Sequence, residues 1–253
     1  TMVFDNWGRK TQTNDPIKGV WHYTYNAFGE LASQKTARNQ TFSFSYDLAG
    51  RRIRSYEASE GTLCWNYGST AQAGSKAAGK LTSTAKYAGS SASCSTTASA
   101  AIKKFINYDS LGRPSNTTTL INNSGYSQSQ SYDSYSRPLV TTYPNGTSAF
   151  AVKNIYNSYG YMKEVRNNAT NALLKRVDSM TARGQVASET LGNGVVSTRS
   201  YQSDTGWLSY VDVKKGSVLK QYIATDYDTA GNVKSRTSQY GSGSSSQYTE
   251  NYS

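Results

Sequence analysis

The hexapeptide Tyr46-Asp47-Leu48-Ala49-Gly50-Arg51 returns at Tyr108 to Arg113 and, with Ser136 in place of the glycine, at Tyr132 to Arg137. This recurrence limits the possible folds more than any other feature of the chain. Aligned on the residue before the acid or amide, nine copies begin at Phe4, Tyr25, Tyr46, Tyr108, Tyr132, Tyr156, Val177, Tyr201 and Tyr227. The first two steps are 21 residues each, and those from 108 to 132 and from 132 to 156 are 24. A fixed period of this length marks a repeat architecture, in which each repeat must stack on its neighbours to bury its apolar face.

Each position of the motif has a physical reason. Asp at the first corner of a type I turn accepts the backbone N–H two residues on, and Gly takes the left-handed conformation that lets a hairpin return. The aromatic before Asp ends one strand, and the Arg with the apolar residue after it opens the next. The motif set comprises Tyr46, Asp47, Gly50 and Arg51; Tyr108, Asp109, Gly112 and Arg113; Tyr132, Asp133 and Arg137; and Tyr227, Asp228 and Gly231. A second turn falls between copies, as in Asp15-Pro16-Ile17-Lys18-Gly19, Ser59-Glu60-Gly61, Pro144-Asn145-Gly146 and Gly192-Asn193-Gly194. Between turns the residues alternate, as in Thr41-Phe42-Ser43-Phe44-Ser45-Tyr46, and a period of two means strand. The expected fold is therefore all-β, an array of antiparallel β-hairpin repeats of 21 to 24 residues.

Composition agrees with a sheet. Only 36% of the 253 residues are hydrophobic, and Tyr supplies 21 of them against 6 Phe and 4 Trp. So few large aliphatics make a thin core, and Tyr, Thr and Val suit a pleated surface with one wet side. Tyrosines at one offset are expected to stack as a ladder along the sheet. The net charge of +11 comes from basic residues scattered along the chain, which the repeat itself explains by placing Arg or Lys at one offset. Nucleic-acid footprints cluster on one face, so nucleic acid is not the expected partner. No apolar run is long enough to span a bilayer.

The rhythm breaks from Gly68 to Ala101, a stretch dominated by Ser, Ala, Gly and Thr. Gly79-Lys80-Leu81-Thr82-Ser83 within it reads as the opening of a strand, so degenerate strands joined by a loop around Gly89 to Ala98 are expected. The domain organisation is thus three copies over 1–67, a degenerate repeat plus loop over 68–101, and about six copies over 102–253, all in one continuous repeat domain. Because it starts and stops inside the pattern, the chain reads as a piece of a longer protein. Cys64 and Cys94 are too few for a disulfide framework and lack metal-ligand spacing, which leaves a single bridge between them in an oxidising compartment or two free thiols.

These residues resemble the YD-repeat family, also called Rhs (rearrangement hotspot) repeats, whose pattern is Tyr-Asp-x-x-Gly-Arg-Leu before a Thr- and Ser-rich strand. The match is strongest at Tyr46 to Ile53, Tyr108 to Pro114 and Tyr227 to Val233, and Ala182-Arg183-Gly184-Gln185-Val186 is similar to a family variant. The resemblance implies a ribbon of hairpins spiralling into part of a hollow shell or barrel wall. In bacterial Rhs proteins and the B and C components of Tc toxins such a shell encloses a C-terminal toxin, and in animal teneurins a similar barrel serves adhesion. It therefore implies a non-catalytic shell segment, secreted or at the cell surface, whose partners are the remainder of its own polypeptide and a toxin cargo. The alternative is a surface adhesion module that binds carbohydrate or a receptor protein.

No catalytic constellation competes with this reading, and no cofactor is expected. His22 is the one histidine, flanked by Trp21 and Tyr23 in an alternating strand. Metal sites need clustered His, Cys or carboxylates. Thr190 to Val195 has two glycines but no helix pattern after them, so it reads as a hairpin turn and not a phosphate cradle. The repeated Asp5, Asp47, Asp109, Asp133 and Asp228 are each explained by their turn, whereas hydrolysis needs a differentiated acid and base.

Overall fold

The computed structural model describes residues 1–69, 76–89, 94, 100–144, 149–241 and 247–252. Asn145 and Gly146 of the Pro144-Asn145-Gly146 turn and most of the 89–98 loop lie outside the described residues. The chain divides into two compact units, Thr1–Gln130 and Ser131–Ser253. Both are built only of strands and turns among the described residues.

The first unit opens with β1 (Met2–Phe4), β2 (Lys10–Asp15), β3 (Gly19–Tyr25), β4 (Leu31–Lys35) and β5 (Thr41–Tyr46). It continues through β6 (Arg52–Glu57), β7 (Gly61–Tyr67), β8 (Leu81–Tyr87), β9 (Ile102–Tyr108), β10 (Pro114–Ile121) and most of β11 (Ser124–Tyr132). Each strand pairs antiparallel with the next in the chain. The second unit holds β12 (Pro138–Tyr143), β13 (Phe150–Tyr156), β14 (Met162–Asn167), β15 (Leu173–Met180) and β16 (Val186–Leu191). It ends with β17 (Val195–Tyr201), β18 (Leu208–Lys215), β19 (Val218–Tyr227), β20 (Val233–Tyr240) and β21 (Gln247–Asn251), paired in the same consecutive way. The array of antiparallel hairpins is thus the architecture of both units.

The alternating stretch Thr41–Tyr46 is β5 itself, and its register with β6 shows how the motif ends a strand. Ser45 faces Arg54 but Tyr46 faces Arg52, so Ile53 is an extra residue on the second strand. The same shift occurs at Tyr25↔Leu31, Tyr108↔Pro114, Tyr156↔Met162 and Tyr227↔Val233. Each is a β-bulge, which strengthens the local twist and re-aims the side chains beside the turn.

Little is buried. The apolar core is Cys64, Ala85, Tyr87 and Ala100, all in the first unit. Small and polar residues such as Thr62, Ser197 and Ser238 make up much of what is buried. Backbone pairing, turns and side-chain clamps therefore carry a larger share of the stability than apolar packing does.

Within Gly68 to Ala101 the described residues include one further turn closure and the strand after it, β8. Tyr67 faces Leu81 with the same bulge, and Gly68 N–H donates to Lys80 O at 2.8 Å, as Asp47 N–H does to Arg51 O at 3.0 Å. Gly79, at φ +73°, stands where Gly50 does. This copy keeps the ends of the turn but carries an insertion between them. Its strand β8 then leads to the 88–101 connection. Copies at Phe4, Tyr25, Tyr46 and Tyr67 thus keep a step of 21 residues without a break.

Candidate functional site: the repeated turn and its tyrosine latch

In the turn after β5, Gly50 N–H donates to Asp47 O and Asp47 N–H donates to Arg51 O, both at 3.0 Å. This is a type I turn followed by a left-handed residue, here Gly50 at φ +73°. Such a three-residue loop matches the twist of the strands it joins. The Asp47 carboxylate then fastens the loop from inside. Its Oδ1 accepts the N–H of Ala49 at 2.9 Å and of Arg51 at 3.0 Å, and its Oδ2 accepts Arg51 Nε at 2.7 Å. Asp5 with Arg9, Asp109 with Arg113 and Asp133 with Arg137 repeat the arrangement, each with the Nε bond at 2.7 Å. In the Asp133 copy, Ser136 takes the left-handed position at φ 63° in place of glycine.

Where the motif drifts, the two partners drift together. Asn26 Nδ2 donates to Glu30 at 2.6 Å, and Asn232 Nδ2 donates to Asp228 at 2.9 Å. Thr181 and Gln185 bond through their side chains at 3.3 Å. In these copies the first and fifth positions of the turn are therefore a donor–acceptor pair rather than two independent preferences, whereas Asn157 and Tyr161 form no such side-chain pair. The sequence pairs Asp/Arg, Asn/Glu, Asp/Asn and Thr/Gln carried that signal, and reading the Arg only as the start of a strand missed it.

The next tyrosine closes over this turn. Tyr25 Oη donates to Lys10 O at 2.9 Å and Tyr46 Oη to Leu31 O at 3.0 Å, both reaching back 15 residues. Tyr67 to Arg52 O, Tyr108 to Leu81 O, Tyr156 to Pro138 O, Tyr201 to Val186 O and Tyr227 to Leu208 O follow the same rule. The ring meanwhile lies over the cation of the preceding repeat. Tyr25 covers Arg9 at 4.8 Å, Tyr67 covers Arg51 at 4.3 Å, Tyr108 covers Lys80 at 5.0 Å and Tyr156 covers Arg137 at 4.1 Å. The same cations continue into the next turn, as Arg51 Nη1 donates to Gly79 O at 2.9 Å and Lys80 Nζ bonds Gly112 O.

The expected tyrosine ladder is thereby corrected. Same-offset tyrosines stand two strands apart, about 10 Å, which is too far for rings to meet. In four copies an Arg or Lys fills the gap and makes a cation–π contact instead, whereas before Tyr227 the Trp207 ring fills it, with centroids 5.2 Å apart. At one junction both partners are missing. Tyr161 occupies the Arg position and Met180 the Tyr position, and a cleft of about 430 Å³ opens there, lined by Asn157, Met162, Val177 and Met180 among others.

The copy anchored at Val177 is also displaced. The turn runs Thr181 to Gly184, with Gly184 N–H on Thr181 O at 3.0 Å, so Met180 and Thr181 hold the Tyr and Asp places. Gly184, at φ +78°, fixes the turn, and the capping residue must stand three before it. Asp178 instead lies in β15, where it accepts Arg176 Nε at 2.5 Å and Thr190 Oγ1 at 2.6 Å.

Electrostatics treat the turn acids alike. The Arg51 side chain, then its backbone N–H, holds the Asp47 carboxyl below the ordinary carboxylate range. The Arg113 backbone N–H does so for Asp109, and the Asn232 side chain for Asp228. At Asp5 and Asp133 burial pushes upward, but the bonds from Arg9 and Arg137 outweigh it. These five carboxylates sit one per hairpin and are all shifted the same way. None is a protonated acid beside an ionised base, the division that a hydrolytic pair requires.

The remaining candidates are separate. Cys64 and Cys94 are joined by a disulfide with Cα atoms 5.9 Å apart, so Cys64 has no thiolate to offer. His22 stands exposed on β3, facing Gln12 and Lys35 across its neighbours. Among the described residues no three His, Cys, Asp or Glu side chains cluster as metal ligands, and no helix is long and apolar enough to cross a membrane.

No protein-family model and no curated protein matches the chain. Solved structures do. A crystal structure of TcdB2-TccC3-TEV overlays 94% of this chain and 12% of its own, at 17% identity and a TM-score of 0.75. A crystal structure of TcdB2-TccC3 covers 94% and 13%, at 17% identity and 0.69. A Tc holotoxin pore of Photorhabdus luminescens covers 94% and 14%, at 15% identity and 0.63. This chain thus spans 12 to 14% of the length of those chains. With its Asp–Arg turns and tyrosine latches, it carries an Rhs-like fold, the β-hairpin repeat fold of Tc toxin shell chains.

Proposed function

We propose that this chain is a non-catalytic segment of a shell that encloses and delivers a polypeptide cargo. The latch carries the reading: seven tyrosines tie their hairpins to the turn before through a hydroxyl on a backbone carbonyl, and four of them, Tyr25, Tyr67, Tyr108 and Tyr156, also lay the ring over a cation. An array so fastened is a wall material, stiff along its length without a deep core. The uniform engagement of Asp5, Asp47, Asp109, Asp133 and Asp228 supports a mechanical role over a chemical one. The partners are the rest of the same polypeptide and a toxin cargo, and the setting is secreted or cell-surface.

Limited proteolysis of the full-length protein tests this. The segment after the repeats should survive proteinase K in the intact protein. It should be digested once Arg51→Ala and Arg137→Ala remove two clamps. A segment cleaved equally fast in both proteins would defeat the reading. The adhesion alternative keeps one specific support, an aromatic cleft in the first unit.

A further inference from the structure

A cleft of about 670 Å³ opens in the first unit, at the end of the strands opposite the YD turns. Two turns wall it, Asp15–Gly19 between β2 and β3, and Thr36–Gln40 between β4 and β5. Its floor comes from three neighbouring strands. Tyr23 faces Gln34 and Gln34 faces Phe42, so Trp21, Gln34 and Phe42 share one side of the sheet. Trp21 Nε1 donates to Lys18 O at 3.1 Å, so the indole offers the cleft a flat apolar surface with its one donor already used. Lys18 and Arg38 stand exposed on the two turns. Arg38 forms no ion pair with a described residue. Thr36 lies buried at the foot.

We propose that this cleft binds an acidic oligosaccharide. The C–H face of a sugar ring packs on Trp21 and Phe42. The amides of Gln34 and Gln40 each donate and accept, which suits hydroxyls that do both. The Arg38 guanidinium takes a sugar carboxylate through two parallel N–H bonds, with Lys18 adding charge. The net charge of +11 raises the local concentration of such a ligand. An acidic peptide would satisfy Arg38 and Lys18 but leave the flat rings and the amides with little to do. The shell reading neither requires this site nor excludes it.

Tryptophan fluorescence and calorimetry on the whole chain at physiological salt decide it. The probe is a tetrasaccharide of alternating glucuronic acid and N-acetylglucosamine. The comparisons are the neutral N-acetylglucosamine tetramer and a tetraglutamate peptide. The acidic sugar should bind about tenfold more tightly than either, and Trp21→Ala should weaken it about tenfold or more. Arg38→Gln, at an exposed turn position, should cut the preference for the acidic over the neutral sugar about tenfold, to near parity. It decides the question even if Trp21→Ala does not fold. No saturable binding of the tetrasaccharide, unchanged affinity in a folded Trp21→Ala protein, or equal binding of tetraglutamate would each overturn the proposal.

Discussion

The two units share one backbone plan and are fastened by different chemistry. Thr1–Gln130 has the buried cluster of Cys64, Ala85, Tyr87 and Ala100, the disulfide, and, among the described residues, most of the cations laid over rings, such as Arg52 on Phe44 at 4.6 Å, against only Arg137 in the second unit. Ser131–Ser253 has ion pairs along its strands. Glu189, on β16, bonds Lys175 of β15 and Arg199 of β17, both at 2.7 Å. Glu164–Arg166 and Asp212–Lys214 continue the pattern in β14 and β18. The turns specify the fold in both places, and the strand faces remain free to vary. What differs is what should disturb each unit, and hydrogen exchange read peptide by peptide separates them.

Glycine substitutions give the widest contrast. Gly61 sits at φ +84°, and a Cβ there would lie 2.1 Å from Tyr87 O in the adjoining strand. Gly184 has a similar φ of +78° with nothing within 4 Å. Gly61→Ala should cost about 4 kcal/mol of local protection, and Gly184→Ala only about 1–2, the left-handed penalty alone. Equal losses would mean that β7 and β8 are not packed as described.

Reduction comes next. The bridge closes a 30-residue loop, and the chain-entropy model assigns such a loop about 3.5 kcal/mol. Cys94→Ser or reductant should lower protection by up to that amount in β7 and β8 and leave β14 to β18 unchanged. A change spread evenly over both units would remove the distinction.

Glu189→Gln probes the other side. It should cost the second unit about 2 kcal/mol at neutral pH, less than a fully buried pair because Lys175 is half in solvent. Burial pushes the Glu189 carboxyl up, but Lys175 and Arg199 hold it below its ordinary value overall. Its contribution is therefore complete above the unfolded-state value and is lost as pH falls through the folded one. The gap between wild type and Glu189→Gln should stay constant well above the ordinary glutamate value of about 4.3 and narrow as pH falls below it.

The smallest effect is a gain. Tyr161→Arg with Met180→Tyr restores the missing clamp and should stabilise that junction by about 0.5–1 kcal/mol, the value of an exposed cation–π contact. Either change alone should do less, which a double-mutant cycle would detect.

The turns and strands were legible because they are set by residues close together: Asp before, Gly three later, alternation between. The fold class, the β5 boundaries and the Gly79 to Ser83 opening all followed from that. What escaped depended on insertions or on partners in another repeat. The Tyr67 copy was hidden because Gly79 stands eleven residues past Gly68 instead of three. Asp178 drew the next anchor away from Met180, since an acid near the expected spacing outweighed the glycine that fixes the geometry. The reach of each tyrosine to the preceding turn is invisible to period counting, because it depends on strand spacing.

That reach bears on how the chain comes together. Sheet proteins usually fold slowly because partners lie far apart in the polypeptide. Here each strand pairs with its neighbour in sequence and the commonest Oη bond spans only 15 residues, so the contacts that fasten each hairpin are local. A nascent chain can accordingly complete each hairpin soon after it emerges, without waiting for its C-terminus.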